Sequence, residues 1–304
     1  MGWPLRMYDS REIYFVTVRC IQGRLLLRPS KRTNEVLAGV LARAARVCSI
    51  ELFGFVFASN HLHLLARAPE RNLPRFMQFL LANVSKKVGR LTGWRGAFWE
   101  RRYSAEPVLD DEALHGRVRY LLAHGVKERL VRRCRDWPGL SSLPMMLGRA
   151  SRKALWFNWT ERWRNRRRLG HDRFGAEWAE AERLSLAVLP LLTGRSAGAQ
   201  RRFYLHTVAG IEEEASHDSR RVLGIAAVLA QRPQLRPSRP ARGPRPLCHA
   251  STRVLRELFK EHYRSFVASF RAASAKWRHG CLDAKFPEGA IRPFLWAPPL
   301  PSVH

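Results

Sequence analysis

His61 and His63 stand two residues apart in HLHLLAR, a run that reads as a β-strand, so both imidazoles project from one face a few ångströms apart. That geometry suits sharing one metal ion. Imidazole is a good ligand for Mn²⁺, Zn²⁺ and other borderline metals, and Mg²⁺ is accepted when phosphate and water complete the shell. Tyr120 and His124 lie four residues apart in a helical pattern and therefore share a face, which points a phenol and a third candidate ligand the same way. A tyrosine oxygen can attack a phosphodiester in line and hold the released end covalently, conserving bond energy for religation. A metal polarises the scissile phosphate and stabilises the departing oxygen. Each residue alone also has an ordinary reading: two hydrogen-bonded strand histidines, a packed amphipathic tyrosine, a helix-end histidine. Tyr103 competes as a nucleophile but has no ligand partner at fixed spacing, and Asn60 reads as a turn residue.

The elements that must position these groups can be read on either side. Residues 12–19, EIYFVTVR, are β-branched and aromatic and predict an opening strand. Ser30 caps a helix whose Val36, Leu37, Val40, Leu41 and Ala44 recur at three- and four-residue steps. The runs 50–57 and 61–67 predict neighbouring antiparallel strands joined at Ala58-Ser59-Asn60, and Asn72 opens a second helix that Gly89 and Gly93 should stop. An extended stretch, 97–109, leads to a third helix opened by Asp110 and Asp111 and expected to run to about Val131. The order β, α, β, β, α, β, α predicts an α+β protein with helices over an antiparallel sheet.

With 304 residues the chain can hold one large domain with an appendage, or two domains. Its formal charge of +29 is spread along the chain, and a nucleic acid is the partner that fits best, since basic residues gain affinity by releasing counterions from phosphates. Five scattered cysteines never form C-x-x-C and read as reduced thiols. The opening residues lack the apolar stretch of a signal peptide, no run is long and apolar enough for a membrane span, and the expected location is the cytoplasm, with the nucleoid. Domain boundaries are expected at 1–148 and 149–304. In the second half helical patterns alternate with basic runs such as Arg164 to Arg168; a Pro/Arg-rich linker is expected at 232–246 and a further helix at 251–278.

The run FASNHLHLLARAP (57–69) resembles the signature histidine, hydrophobic, histidine of the HUH tyrosine transposases, the REP-associated and insertion-sequence kind. The run FWERRYSAEPVLDDEALHGRVRYLLAHGVKERLV (98–131) resembles their arginine-rich stretch, acidic helix start and the motif Y-I-x-x-N-P-V-K-x-G-L-V. About the first 145 residues are covered. The resemblance implies a ferredoxin-like sheet in the first domain, with a mainly helical basic C-terminal extension. It also implies His61 and His63 as ligands of Mg²⁺ or Mn²⁺, Tyr120 as the nucleophile, and His124 as the third ligand in place of a Gln or Asn. The chain departs from the pattern where His124-Gly125 replaces Asn-Pro and Ala58-Ser59 replaces Met-Pro. The implied substrate is single-stranded DNA, flanked by a hairpin, cleaved to a 5′-phosphotyrosine and a free 3′-OH by a monomer or homodimer. Lys86, Lys87, Arg101, Arg102 and Lys127 are candidates to line the DNA path, and Trp94, Phe98 and Trp99 to stack bases. The contrasting reading is a non-catalytic nucleic-acid-binding protein, which has no need of both the ligand set and Tyr120.

Overall fold

The β-branched run after Glu12 forms β1 (Ile13–Arg19), and α1 (Lys31–Val47) starts where the Ser30 hydroxyl accepts from Thr33 N–H. The chain continues through β2 (Glu51–Phe57), β3 (His61–Arg67), α2 (Leu73–Thr92), β4 (Ser104–Val108) and α3 (Asp111–Lys127). These coordinates are a computed structural model describing residues 4–169, 176–237 and 246–291. The four strands form one antiparallel sheet in the order β2-β3-β1-β4, so β3 and β1 are the central strands. A β-α-β-β-α-β chain in this order is the ferredoxin-like arrangement of an α+β fold.

The pleat sends alternate residues to opposite faces. Tyr14, Val16 and Val18 of β1 with Leu62, Leu64 and Ala66 of β3 join the apolar residues of α1 and α2 in one core. Ile13, Phe15 and Leu65 face the other way, where Leu114, Val118, Leu121 and Leu122 of α3 cover them. Gly54, at an irregularity in the β2–β3 register, permits this approach: a Cβ there would lie 2.9 Å from the Leu121 methyl. The helix that carries Tyr120 and His124 can therefore settle close to the strand pair that carries His61 and His63.

Two helix ends differ from expectation. Gly89 does not stop α2; it is buried inside the helix, and Gly93 in the left-handed conformation (φ +64°) ends it. α3 closes at Lys127, short of Val131, because Arg129 turns left-handed (φ +56°) and the Gly125 carbonyl accepts from both Leu130 and Val131 N–H. The motif quoted above has glycine where this chain has Arg129, the residue type suited to that backbone.

Beyond α4 (Leu143–Met146), the extension is helical as expected, with α5 (Trp159–Leu169), α6 (Ala197–Ser216), α7 (Ile225–Ala230) and α8 (Arg253–Arg278). It also contains a two-stranded antiparallel sheet, β5 (Arg152–Phe157) with β6 (Ala179–Leu184), which the sequence did not reveal. Trp156 and Leu184 of this pair enter the α1/α2 core, and the buried Glu182 binds Arg43 at 2.9 Å and Arg46 at 2.8 Å on α1. α6 adds Tyr204, Val208 and Ile211 to the α3 core. His249 pairs beside β4, its N–H donating to Pro107 O at 2.8 Å while its carbonyl accepts from Leu109 N–H at 2.9 Å. Residues 238–245 of the expected Pro/Arg-rich linker lie outside the described residues. Among the described residues no helix is long and apolar enough to cross a membrane.

Candidate metal and nucleophile site

His61 and His63 project from the α3-facing side of β3, and the Asp110 cap fixes where α3 begins: its carboxylate accepts from Ala113 N–H at 2.8 Å. Ten and fourteen residues further along, Tyr120 and His124 come down on the histidine pair. The imidazole centroids are 4.8 Å apart for His61 and His63, 4.7 Å for His61 and His124, and 5.4 Å for His63 and His124. One ligand nitrogen from each lies within 4.8 Å of the others, the one such cluster among the described residues.

Hydrogen bonds orient the two strand histidines. The Asn60 amide donates to Gly23 O at 3.1 Å, which leaves its carbonyl oxygen to accept from His61 Nδ1–H at 2.6 Å. The Nε2 lone pair of His61 is thereby kept for a ligand role. Thr17, directly opposite His63 in the β1–β3 register, meets His63 Nδ1 at 2.8 Å. His63 Nε2 and both ring nitrogens of His124 are buried and have no hydrogen-bond partner in the protein. Leaving buried ring nitrogens unpaired is costly, and a cation among them would take up one lone pair from each of the three rings. Burial, with the neighbouring imidazoles, holds His61 well below the ordinary histidine range; burial and His124 do the same to His63. Burial, with Lys127 and Arg19, lowers His124 to about 4. At neutral pH the three rings are uncharged, the form that binds metal. The donor set thus fits a divalent cation.

The Tyr120 ring stands 5.2 Å from that of His63 and 5.7 Å from Phe15, which itself stacks on His63 at 5.0 Å. Burial raises the Tyr120 pKa, Glu128 adds to the rise, and Arg117 and Arg19 oppose it. Lys127 lies over the ring, its Nζ 4.8 Å from the centroid, and the Arg117 guanidinium is 5.3 Å away. Arg117, Arg19, Thr17 and Phe15 were not singled out from sequence. Arg19 lies directly opposite His61 in the register, a fact that only strand pairing reveals.

Most of the other expected residues lie elsewhere. Lys86 and Lys87 sit on α2, across the sheet from the histidines; Lys86 is exposed, while Lys87 donates to Phe157 O at 2.5 Å and covers Trp156, and burial lowers it to about 8. Arg101 follows Glu100, whose N–H donates to Arg19 O at 2.9 Å, which brings this stretch beside the histidine end of β1; Arg102 donates to Pro4 O. Tyr103 is buried against Tyr8, hydroxyl to hydroxyl at 2.9 Å, under Arg6, away from the ligand cluster. Phe98 is a core residue, and Trp99 donates its indole N–H to Leu81 O at 3.0 Å.

No protein-family model and no curated protein matches the chain. Among solved structures, it is similar to a REP-associated tyrosine transposase bound to a REP hairpin, with 19% identity and a TM-score of 0.42 over 49% of this chain and 87% of that one. It is also similar to a proposed transposase from Deinococcus radiodurans R1, with 16% identity and a TM-score of 0.28 over 39% of this chain and 89% of that one.

Proposed function

We propose that the protein is a metal-dependent tyrosine transposase-like enzyme that nicks and rejoins single-stranded DNA, with a catalytic unit at 1–148 and a basic extension at 149–304. The observation that carries this reading is the convergence of three buried imidazoles on one point, with the Tyr120 ring 5.2 Å from His63. A structural histidine cluster does not require a phenol beside it, and a nucleic-acid binder requires neither.

In the reaction, the Tyr120 oxygen forms a bond to the phosphorus and the bond from phosphorus to the 3′ oxygen breaks. The phenolic proton passes to solvent water, and the departing 3′ oxygen takes a proton from solvent water to become the free 3′-OH. The product is a 5′-phosphotyrosine; attack on it by another 3′-OH rejoins strands and restores the tyrosine. His61, His63 and His124 are the residues to hold Mg²⁺ or Mn²⁺, which supplies Lewis-acid stabilisation of the phosphate and leaving oxygen when bound. The all-imidazole donor set favours Mn²⁺ over the oxygen-seeking Mg²⁺. Arg117 and Lys127 stabilise the anionic phenolate and the phosphate it attacks. Because burial raises the Tyr120 pKa, the cleavage rate should climb as pH rises above neutrality. The DNA partner is single-stranded, with flanking hairpins, and the enzyme works where such DNA is found, at the nucleoid.

The test is incubation with labelled single-stranded DNA carrying the hairpins that flank its own gene, with Mg²⁺ or Mn²⁺, comparing wild type with Tyr120→Phe. The expected result is a metal-dependent covalent adduct absent from the variant. Tight binding with no adduct in either protein would replace this reading with that of a non-catalytic DNA-binding protein.

A further inference from the structure

Tyr120 opens onto a cleft of about 1020 Å³ whose two sides come from different parts of the chain. α3 and residues 129–133 form one side; α6 and residues 218–222 of the extension form the other. The lining holds eight basic residues and three acidic ones. The acids are already paired, mostly across the walls: Glu214 with Arg119 and Asp218 with Arg129, while Asp218 also pairs with Arg220 on its own side and Glu212 accepts from Cys134 N–H at 2.8 Å. What remains facing the cleft is cationic. Arg132 and Arg133 on one side and Arg221 on the other are exposed, and none has an ion pair among the described residues.

We propose that this cleft is the path of a single DNA strand leading to Tyr120, with Arg132, Arg133 and Arg221 on its phosphates, so that the C-terminal extension builds half of the strand-binding surface. A cleft lined by one sign of charge concentrates a polyanion, and cationic side chains on both walls match a flexible backbone passing between them. Tyr120 is half-buried and lines this cleft, so a phosphodiester carried along the cleft passes beside it. An unpaired strand can enter with its bases turned outward; a duplex holds its second strand in the way. The acid–base pairs across the walls have a second consequence: α6 is fixed to α3, and the cleft keeps its width without ligand. The end point at Tyr120 rests on the function proposed above; the binding path does not.

The experiment is a fluorescence-anisotropy titration of the full chain with labelled oligothymidylate over a range of salt concentrations. Wild type is compared with the triple variant Arg132→Gln/Arg133→Gln/Arg221→Gln and with a control of equal charge loss on exposed positions of α8, Arg253→Gln/Arg264→Gln/Lys276→Gln. The cleft variant should bind at least about tenfold more weakly at physiological salt, and its plot of log affinity against log salt should be shallower by about 2, three contacts at roughly 0.7 each. The control should bind like wild type, and unlabelled duplex should compete poorly. Equal losses in both variants, no loss in the cleft variant, or duplex competing as well as single strand would each overturn the proposal. The adduct assay on the same proteins separates the two readings. A cleft variant that loses binding in a protein that forms no adduct leaves the path standing and removes the chemistry; adducts formed equally by wild type and cleft variant, with unchanged binding, do the reverse.

Discussion

Strand β3 sends two sets of side chains in opposite directions, and they are almost equally dry. Leu62, Leu64 and Ala66 are 0% exposed against α1 and α2; His61 and His63 are 8% and 4% exposed beneath α3. Since solvent access barely differs, the contrast lies in what burial does to each side. An apolar side chain contributes about 1.5–3 kcal/mol when it leaves water. A buried imidazole nitrogen without a partner costs about 1–3 kcal/mol instead. The leucine face therefore stabilises the fold outright, while on the other face, beside the buried Leu65, the histidines add a cost that a bound cation would offset by mass action on the folded state. A sequence under selection for stability alone would have placed leucines at both sets of positions.

The largest way to expose this contrast is acid. The unfolded histidines take up protons as pH drops through 6.5, whereas in the folded protein His61 and His63 stay neutral well below that value and His124 to about 4. The unfolded state then binds more protons, so stability without metal should fall with pH, by about 1.4 kcal/mol per pH unit for each histidine. This loss begins near pH 6.5, and the His124 part levels off near pH 4. Urea unfolding at several pH values measures it, and His124→Gln should flatten the slope by one proton. An unchanged slope in that variant would show that His124 is not buried neutral.

The next effect separates the faces by substitution. Leu64→Ala should cost about 2–5 kcal/mol in unfolding free energy while leaving Mn²⁺ affinity intact in the folded fraction. His63→Leu should reverse the pattern: a thermal melt no lower than wild type without metal, and no rise on adding Mn²⁺. If His63→Leu still gains stability from Mn²⁺, the ion is held elsewhere.

Much of the frame was legible in the sequence, and the reasons are local. The apolar runs 51–57 and 61–67 are too continuous for a surface element, and Ser30 and Asp110 announce their helices with side chains that do cap them. His124 sits four residues after Tyr120, so helix geometry alone puts them on one face. What could not be read depends on long-range pairing. Thr17 reaches His63, and Arg19 faces His61, only because β1 pairs with β3 in one register. β6, AEAERL, puts Glu180 and Glu182 on the same inward face as Leu184, the reverse of an apolar-in pattern, and its partner β5 lies beyond an intervening helix, so no hairpin signal existed. The end of α3 was misjudged because Arg129 adopts a backbone that its residue type does not advertise. Lys87 reads as a solvated cation in a basic cluster but is folded under Trp156, a contact made by the extension.

The smallest effect tests whether the histidine face is organised for a metal or merely polar. Asn60 and Thr17 touch no candidate metal position. Each holds the Nδ1 side of one imidazole, and the Asn60 amide is itself locked by the Gly23 carbonyl. Outer partners of this kind fix the tautomer and aim the free nitrogen, and losing one typically weakens metal binding about 10–100-fold. Asn60→Ala and Thr17→Val should each lower Mn²⁺ affinity by that factor in isothermal titration, with little change in the melt without metal. Rescue separates aim from packing: Thr17→Ser retains the hydroxyl and should bind Mn²⁺ like wild type. Wild-type affinity in Thr17→Val would mean that the Thr17 bond is ordinary strand-to-strand packing, and that the orientation of His63 comes from its stacking on Phe15 alone.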